Sequence, residues 1–186
     1  MTKDAAPKET AGPNTPPHFA SIFDSEDPED RIRAWMSLEK NENGQLKSGN
    51  WMREIMPHVT LLSINSQGPH PSATFSFTVQ PDHCNRANNL HGGCAATLFD
   101  FLTTLPLALI NDRPGYWQYL GVSRTLQCSY VRPAPCGEEC IVECEIVAIG
   151  RTLCQLKGVL RRKSDGAIFT TCEHHKFNVD PQPSKL

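Results

Sequence analysis

Two hydrophobic periods run through the chain. From Ala73 to Val79 the apolar residues Ala73, Phe75, Phe77 and Val79 alternate with Thr74, Ser76 and Thr78, a period of two that lines one face of a β-strand. The alternation recurs at Cys140, Val142, Cys144 and Ile146, and again from Leu153 to Leu160. With the short apolar run at 59–64, strands are expected at 59–64, 73–79, 118–131, 139–149, 152–163 and 167–178, with turns at RPAPCG, GR and SDG. Between the second and third strands lies HGGCAATLFDFLTTLPLALI. It is apolar nearly all round and predicts a buried helix. Pro106 falls in its last turns, where an interior proline costs about 3 kcal/mol, so the helix is expected to kink or stop there.

A shorter helix is expected ahead of the strands, in SEDPEDRIRAWMSLEKNE. Ser25 or Asp27 can cap it, Pro28 suits its first turn, and acids cluster at its start. Ile32, Trp35, Met36 and Leu38 give it an apolar face. The polar stretch NENGQLKSGN, with Gly44 and Gly49, breaks the pattern. Residues 1–18 are rich in Pro, Thr, Lys and Glu and almost empty of large apolar side chains, so the chain is expected to begin with a disordered tail over 1–24. The expected organisation is that tail, a helical extension over 25–58, one domain over 59–178 and a short C-terminal tail over 179–186. The fold class is α+β, a largely antiparallel sheet wrapped around one long central helix.

Charge and cysteine content narrow the function. The formal net charge of −2 is spread along the chain and leaves no basic footprint for nucleic acid. No run reaches the roughly 18 apolar residues of a membrane span. The N-terminus has no apolar signal run and carries early acids, so the eight cysteines read as reduced thiols in the cytoplasm, with a mitochondrial or peroxisomal location left open. Cys136-x3-Cys140-x3-Cys144 lacks a C-x2-C pair, and two of its thiols share a face with Val142 and Ile146, as core cysteines do. His174 and His175 are neighbours on a predicted strand, so their rings point to opposite faces and do not form a two-histidine site. Neither metal nor cofactor is expected.

One residue does not suit its helix. From Cys94 to Ile110 the only charged side chain is Asp100. A carboxylate in such a helix finds donors or shifts its protonation. It is either an acid at a local polar edge, satisfied by Thr103, Thr104 or backbone groups, or a functional acid. The helix opens with His91-Gly92-Gly93, where glycines allow a sharp turn and close ligand approach. Free N–H groups at a helix start can hold a developing oxyanion; glycines before a helix also serve as plain turns. Gly92 and Asp100 are eight residues apart, ~12 Å along a helix. For both to act on one carbonyl carbon, Asp100 must come from a second chain, so the constellation predicts a homodimer with two equivalent interfacial sites.

The pattern Asn85-x5-His91-Gly92-Gly93-x6-Asp100, then Gly121-Val122-Ser123 and Tyr130-Val131-Arg132-Pro133-Ala134, resembles the hotdog-fold acyl-CoA thioesterases. The branch is the HGG-loop type, which includes the phenylacetate-pathway enzymes and thioesterase superfamily member two. The resemblance runs from about Val59 to Phe177. It implies a hotdog fold, acyl-CoA as substrate, no cofactor, and a homodimer that pairs into a dimer of dimers. It also implies that the Gly92 N–H polarises the thioester carbonyl while His91 and Asn85 shape that loop. Asp100 of the neighbouring subunit acts as general base or nucleophile, and Ser123 holds Asp100 or the water. Substrate-binding positions follow at Gly93, Tyr130, Arg132, Gly150, Arg151 and Thr152. Arg132 and Arg151 are cations for CoA phosphates or, equally, solvated turn arginines.

The stretch NDRPGYWQYLG is longer than in compact relatives. Tyr116, Trp117 and Tyr119 there line an acyl channel or pack the dimer edge, and Phe99 and Phe101 are expected to narrow the space beside Asp100. Two other functions remain: a hotdog dehydratase or hydratase, and a non-catalytic acyl-CoA-binding or regulatory protein.

Overall fold

The structure, a computed structural model, describes residues 25–38, 51–111, 113 and 115–181. The tail expected over 1–24, the breaker segment with Gly44 and Gly49, and the last five residues of the C-terminal tail lie outside the described residues.

The first helix, α1, spans Pro28–Ser37. Of its two candidate caps Asp27 is the one used, its carboxylate accepting from the Glu29 N–H at 2.8 Å. Ile32 is buried beneath it, and the Arg31 guanidinium donates to the carbonyls of Ala108 (2.8 Å) and Leu109 (3.4 Å). Those carbonyls close a 3-10 helix, at the end where carbonyls run out of helical donors. Arg31 thus fastens the extension to the domain.

Six strands form one antiparallel sheet: β1 (Val59–Asn65), β2 (Ser72–Thr78), β3 (Val122–Tyr130), β4 (Glu139–Ile149), β5 (Leu153–Arg162) and β6 (Ile168–Phe177). Their order is β1-β2-β4-β5-β6-β3. The sequence alternation sets the register, with Phe75 opposite Val142 and Cys144 opposite Gly158. Phe75, Phe77, Val142, Leu156, Leu160 and Phe169 fill the inner face, and Cys140 and Cys144 are buried among them. β3 lies at the open edge with most of its residues exposed.

The central helix α2 (Gly92–Leu102) packs Ala95, Leu98, Phe99 and Leu102 onto this sheet. Gly158 permits the close approach. A Cβ there would lie 2.5 Å from the Phe99 ring and 2.8 Å from the Thr103 methyl. The α-helix ends at Leu102, and the apolar run continues as a buried 3-10 helix, Leu105–Leu109, with Pro106 at its start. At the start of a 3-10 helix the missing N–H of proline breaks no ladder bond. This is the stop that Pro106 predicted. By length and composition alone Gly92–Leu109 resembles a membrane-crossing helix, a test that a buried core helix also passes. It is the interrupted core element of the fold, 61% buried against the rest of the chain.

The third strand begins at Val122 rather than at Gln118. The preceding residues form an irregular turn with positive φ at Trp117 (59°), Leu120 (56°) and Gly121 (62°). Long-range contacts hold it: the Asp180 carboxylate accepts from the N–H groups of Gln118 (2.6 Å) and Tyr119 (3.0 Å). Trp117 neither lines a channel nor edges a dimer. It is fully buried in the core, with its indole N–H on the Gly150 carbonyl at 2.9 Å.

Candidate active site

α2 carries its polar residues on the side turned away from the sheet. Asp100 lies there with its side chain half exposed, so in the single chain it is not the buried acid its helix suggested. The hydroxyl of Ser123, one residue into β3, donates to Asp100 Oδ1 at 2.6 Å. Behind this pair stands His174 of β6, fully buried. Its Nε2 is 3.0 Å from Ser123 Oγ and 3.4 Å from Asp100 Oδ1, and its Nδ1 is 2.7 Å from Thr103 Oγ1. Two residues along the same face, the buried Lys176 ammonium donates to Thr104 Oγ1 at 2.9 Å. Thr104 in turn donates to the Asp100 carbonyl at 2.7 Å.

Burial sets the protonation of both β6 side chains. It pushes the His174 imidazole down to about 4, helped by the Lys176 charge and opposed by Asp100. Histidine is therefore neutral here at physiological pH. Burial also lowers Lys176 to about 8, against the attraction of Asp100 and Cys154. The group opens onto a cleft of about 640 Å³ lined by Trp51, Met52, Ala96, Thr97, Asp100, Phe101, Thr104, Leu126 and Lys176. Phe101 borders it, but Phe99 does not narrow it, being buried against Gly158 instead. The Trp51 indole N–H donates to Thr97 Oγ1 at 3.1 Å at the rim.

The remaining predicted residues gather at the other end of β3. His91 is the N-cap of α2, and its Nδ1 accepts from the Gly93 N–H at 2.9 Å. Among the described residues nothing accepts from the Gly92 N–H, which sits at the positive end of the helix. The Tyr130 hydroxyl donates to the Gly92 carbonyl at 2.9 Å. Asn85 shapes the loop, its Oδ1 accepting from the N–H groups of Ala87 (2.9 Å) and Asn89 (3.3 Å). Arg132 donates to the Ile168 carbonyl at 2.9 Å. Gly150, Arg151 and Thr152 form the β4–β5 hairpin instead. The Asn178 amide bonds the Arg151 carbonyl at 3.1 Å, and Leu153 pairs with Phe177, itself the partner of Val122.

The predicted residues thus fall into two groups. Asp100 and Ser123 lie near the start of β3, and Gly92, Gly93, His91, Asn85 and Tyr130 near its end. Ser123 and Tyr130 are ~23 Å apart along the strand, and Gly92 and Asp100 ~12 Å apart along an unbroken helix. Sequence reasoning missed His174, Lys176 and the role of Thr103. The strand period already put His174 on one face with Cys172 and Lys176, but nothing local said that α2 would lie across that face.

Comparison with known proteins gives this arrangement a family. The sequence pattern of the thioesterase superfamily matches residues 87–169, from the loop before α2 to the start of β6. Human acyl-coenzyme A thioesterase 13 is 32% identical over 140 residues, covering 75% of this chain and 93% of that protein. The chain belongs to the thioesterase superfamily. Zebrafish thioesterase superfamily member 2 has a similar structure, with a TM-score of 0.65 at 23% identity over 80% of this chain and 96% of that one. A hypothetical thioesterase from Streptococcus pneumoniae, solved with coenzyme A, shares the fold at a TM-score of 0.57 and 16% identity, over 68% of this chain and 90% of that one. The sheet and its central helix are the hotdog fold.

Proposed function

We propose that this thioester hydrolase cleaves acyl-CoA to a free acid and CoA, at a site shared between two copies of the chain. The observation that carries the reading is the Ser123–Asp100 hydrogen bond of 2.6 Å, on the same helix as a Gly92 N–H that has no acceptor among the described residues but ~12 Å from it. Antiparallel pairing of two exposed β3 edges would set the start of one strand beside the end of the other. Asp100 and Ser123 of one subunit would then face the Gly92 turn of its partner.

In that site the Gly92 N–H and the helix dipole polarise the thioester carbonyl. Asp100 takes a proton from water as the water oxygen bonds to the carbonyl carbon, and the Gly92 N–H holds the resulting oxyanion. Collapse of the tetrahedral intermediate breaks the C–S bond, and the thiolate of CoA recovers the proton from Asp100. The apolar cleft beside Asp100 suits an acyl chain. Coenzyme A in the Streptococcus pneumoniae homologue, and the name of the human relative, support CoA as the carrier.

The test is release of free thiol from a panel of acyl-CoAs, from acetyl through palmitoyl and aryl. Wild-type protein should release thiol, and Asp100→Asn should lose turnover by at least a hundredfold while still folding, because an amide cannot take the proton. Binding of acyl-CoA without thiol release would mark a regulatory protein, and its hydration would mark a hydratase; either result overturns the reading.

A further inference from the structure

Behind Asp100 the hydrogen bonds have a fixed direction. A carbonyl can only accept, and Thr103 Oγ1 lies 2.6 Å from the Phe99 carbonyl four residues back in its own helix. The single Thr103 proton is therefore committed to Phe99. At 2.7 Å from His174 Nδ1, Thr103 Oγ1 must then accept, so the ring proton of a neutral His174 sits on Nδ1. Nε2 is left as a bare acceptor, facing Ser123 Oγ at 3.0 Å and Asp100 Oδ1 at 3.4 Å.

This leaves one proton between two acceptors. While Asp100 is a carboxylate, the Ser123 hydroxyl can satisfy Oδ1 or Nε2 but not both, and a buried acceptor without a donor is costly. A proton taken up by Asp100 removes the conflict. Asp100 can then donate to Ser123, Ser123 to Nε2, Nδ1 to Thr103, and Thr103 to Phe99, with each donor matched to one acceptor.

We infer that Thr103, His174 and Ser123 form a positioning chain that turns the Ser123 proton from Asp100 to His174 as Asp100 accepts the proton of the attacking water. No net proton reaches His174: the water proton stays on Asp100, and the Ser123 proton changes only its partner. The inference rests on the reading of Asp100 as base. It assigns to a threonine buried on the far side of the histidine the task of fixing which imidazole nitrogen faces the reaction. The surroundings hold the ring neutral for this role. Lys176 and Cys172 flank His174 on β6, Leu156 of β5 and Leu126 of β3 lie opposite it, and Asp100 faces it from α2.

Thr103→Val keeps the side-chain shape and removes the acceptor for Nδ1–H. The ring should then move its proton to Nε2 and donate toward Ser123 and Asp100, so that proton uptake by Asp100 is no longer rewarded. Expected results are a fall in kcat of about tenfold to a hundredfold with KM little changed, and transfer of the His174 proton from Nδ1 to Nε2 in 15N NMR. Thr103→Ser, which retains the hydroxyl, should restore both. Should Thr103→Val fail to fold, His174→Phe tests the same loss of kcat, with the wild-type tautomer read directly. A wild-type His174 protonated on Nε2, or a folded Thr103→Val or His174→Phe protein with wild-type kcat, overturns the inference. Full turnover by Asp100→Asn would instead overturn the reading of Asp100 as base.

Discussion

His174 shows how one residue couples the site to the stability of the fold. Its imidazole has no exposure to solvent, and burial lowers it from 6.5 to about 4. Between those values the unfolded chain binds a proton that the native chain refuses, so stability rises with pH across the window and falls as the solution is acidified. The loss from this group is expected to be on the order of 3 kcal/mol once pH has dropped from above 6.5 to about 4. Urea midpoints measured at stepped pH should show that slope, and His174→Gln should flatten it. At this scale the sequence was half legible. Asp100 stood out as a lone charge and the glycine turn as an anion-binding start, because both are local features. His174 did not stand out, because its significance lies in a ring facing a helix that is 71 residues away in sequence.

The elements were more legible than the residues, for a reason visible in α2. Hydrophobic alternation follows directly from which face of a strand meets the core, so β2, β4 and β5 lie close to where the period of two put them. The start of β3 was displaced because Tyr119, Leu120 and Val122 continue the apolar pattern, while the turn that overrides it depends on Asp180 and on the backbone at Phe177. The seat of α2 on the sheet is equally invisible in sequence, although Gly158 marks it. Gly158→Ala would drive a methyl into the Phe99 ring and Thr103, and is expected to destabilise the fold by about 1–3 kcal/mol. Because Thr103 carries the His174 hydrogen bond, that variant should also lose activity under conditions where it remains folded. Chemical denaturation alongside the thiol-release assay would check both effects.

At the scale of the whole molecule, the open β3 edge and the two separated groups make one argument. A proposed dimer in which each site takes Asp100 from one subunit and Gly92 from the other predicts complementation. Asp100→Asn and Gly92→Pro should each be inactive alone; proline suits the first helical position, and the Tyr130 ring, 3.3 Å from a Cβ at residue 92, must give way by a few tenths of an ångström. Refolded together they should regain about a quarter of wild-type activity, since half of the statistical dimers hold one intact site of two. Failure to regain activity despite heterodimers seen by native mass spectrometry would show that each chain works alone. The sequence by itself determined the strands, the apolar central helix, the proline stop, the lone acid and the glycine turn, because each follows from local periodicity, propensity or charge. Only the tertiary structure decided that Ser123, His174 and Thr103 stand in line behind Asp100. It also decided that Trp117 belongs to the core and that Asp100 opens onto a cleft. These depend on which face of α2 meets the sheet and how closely Gly158 lets it approach, and no local pattern encodes a contact between segments so far apart in the chain.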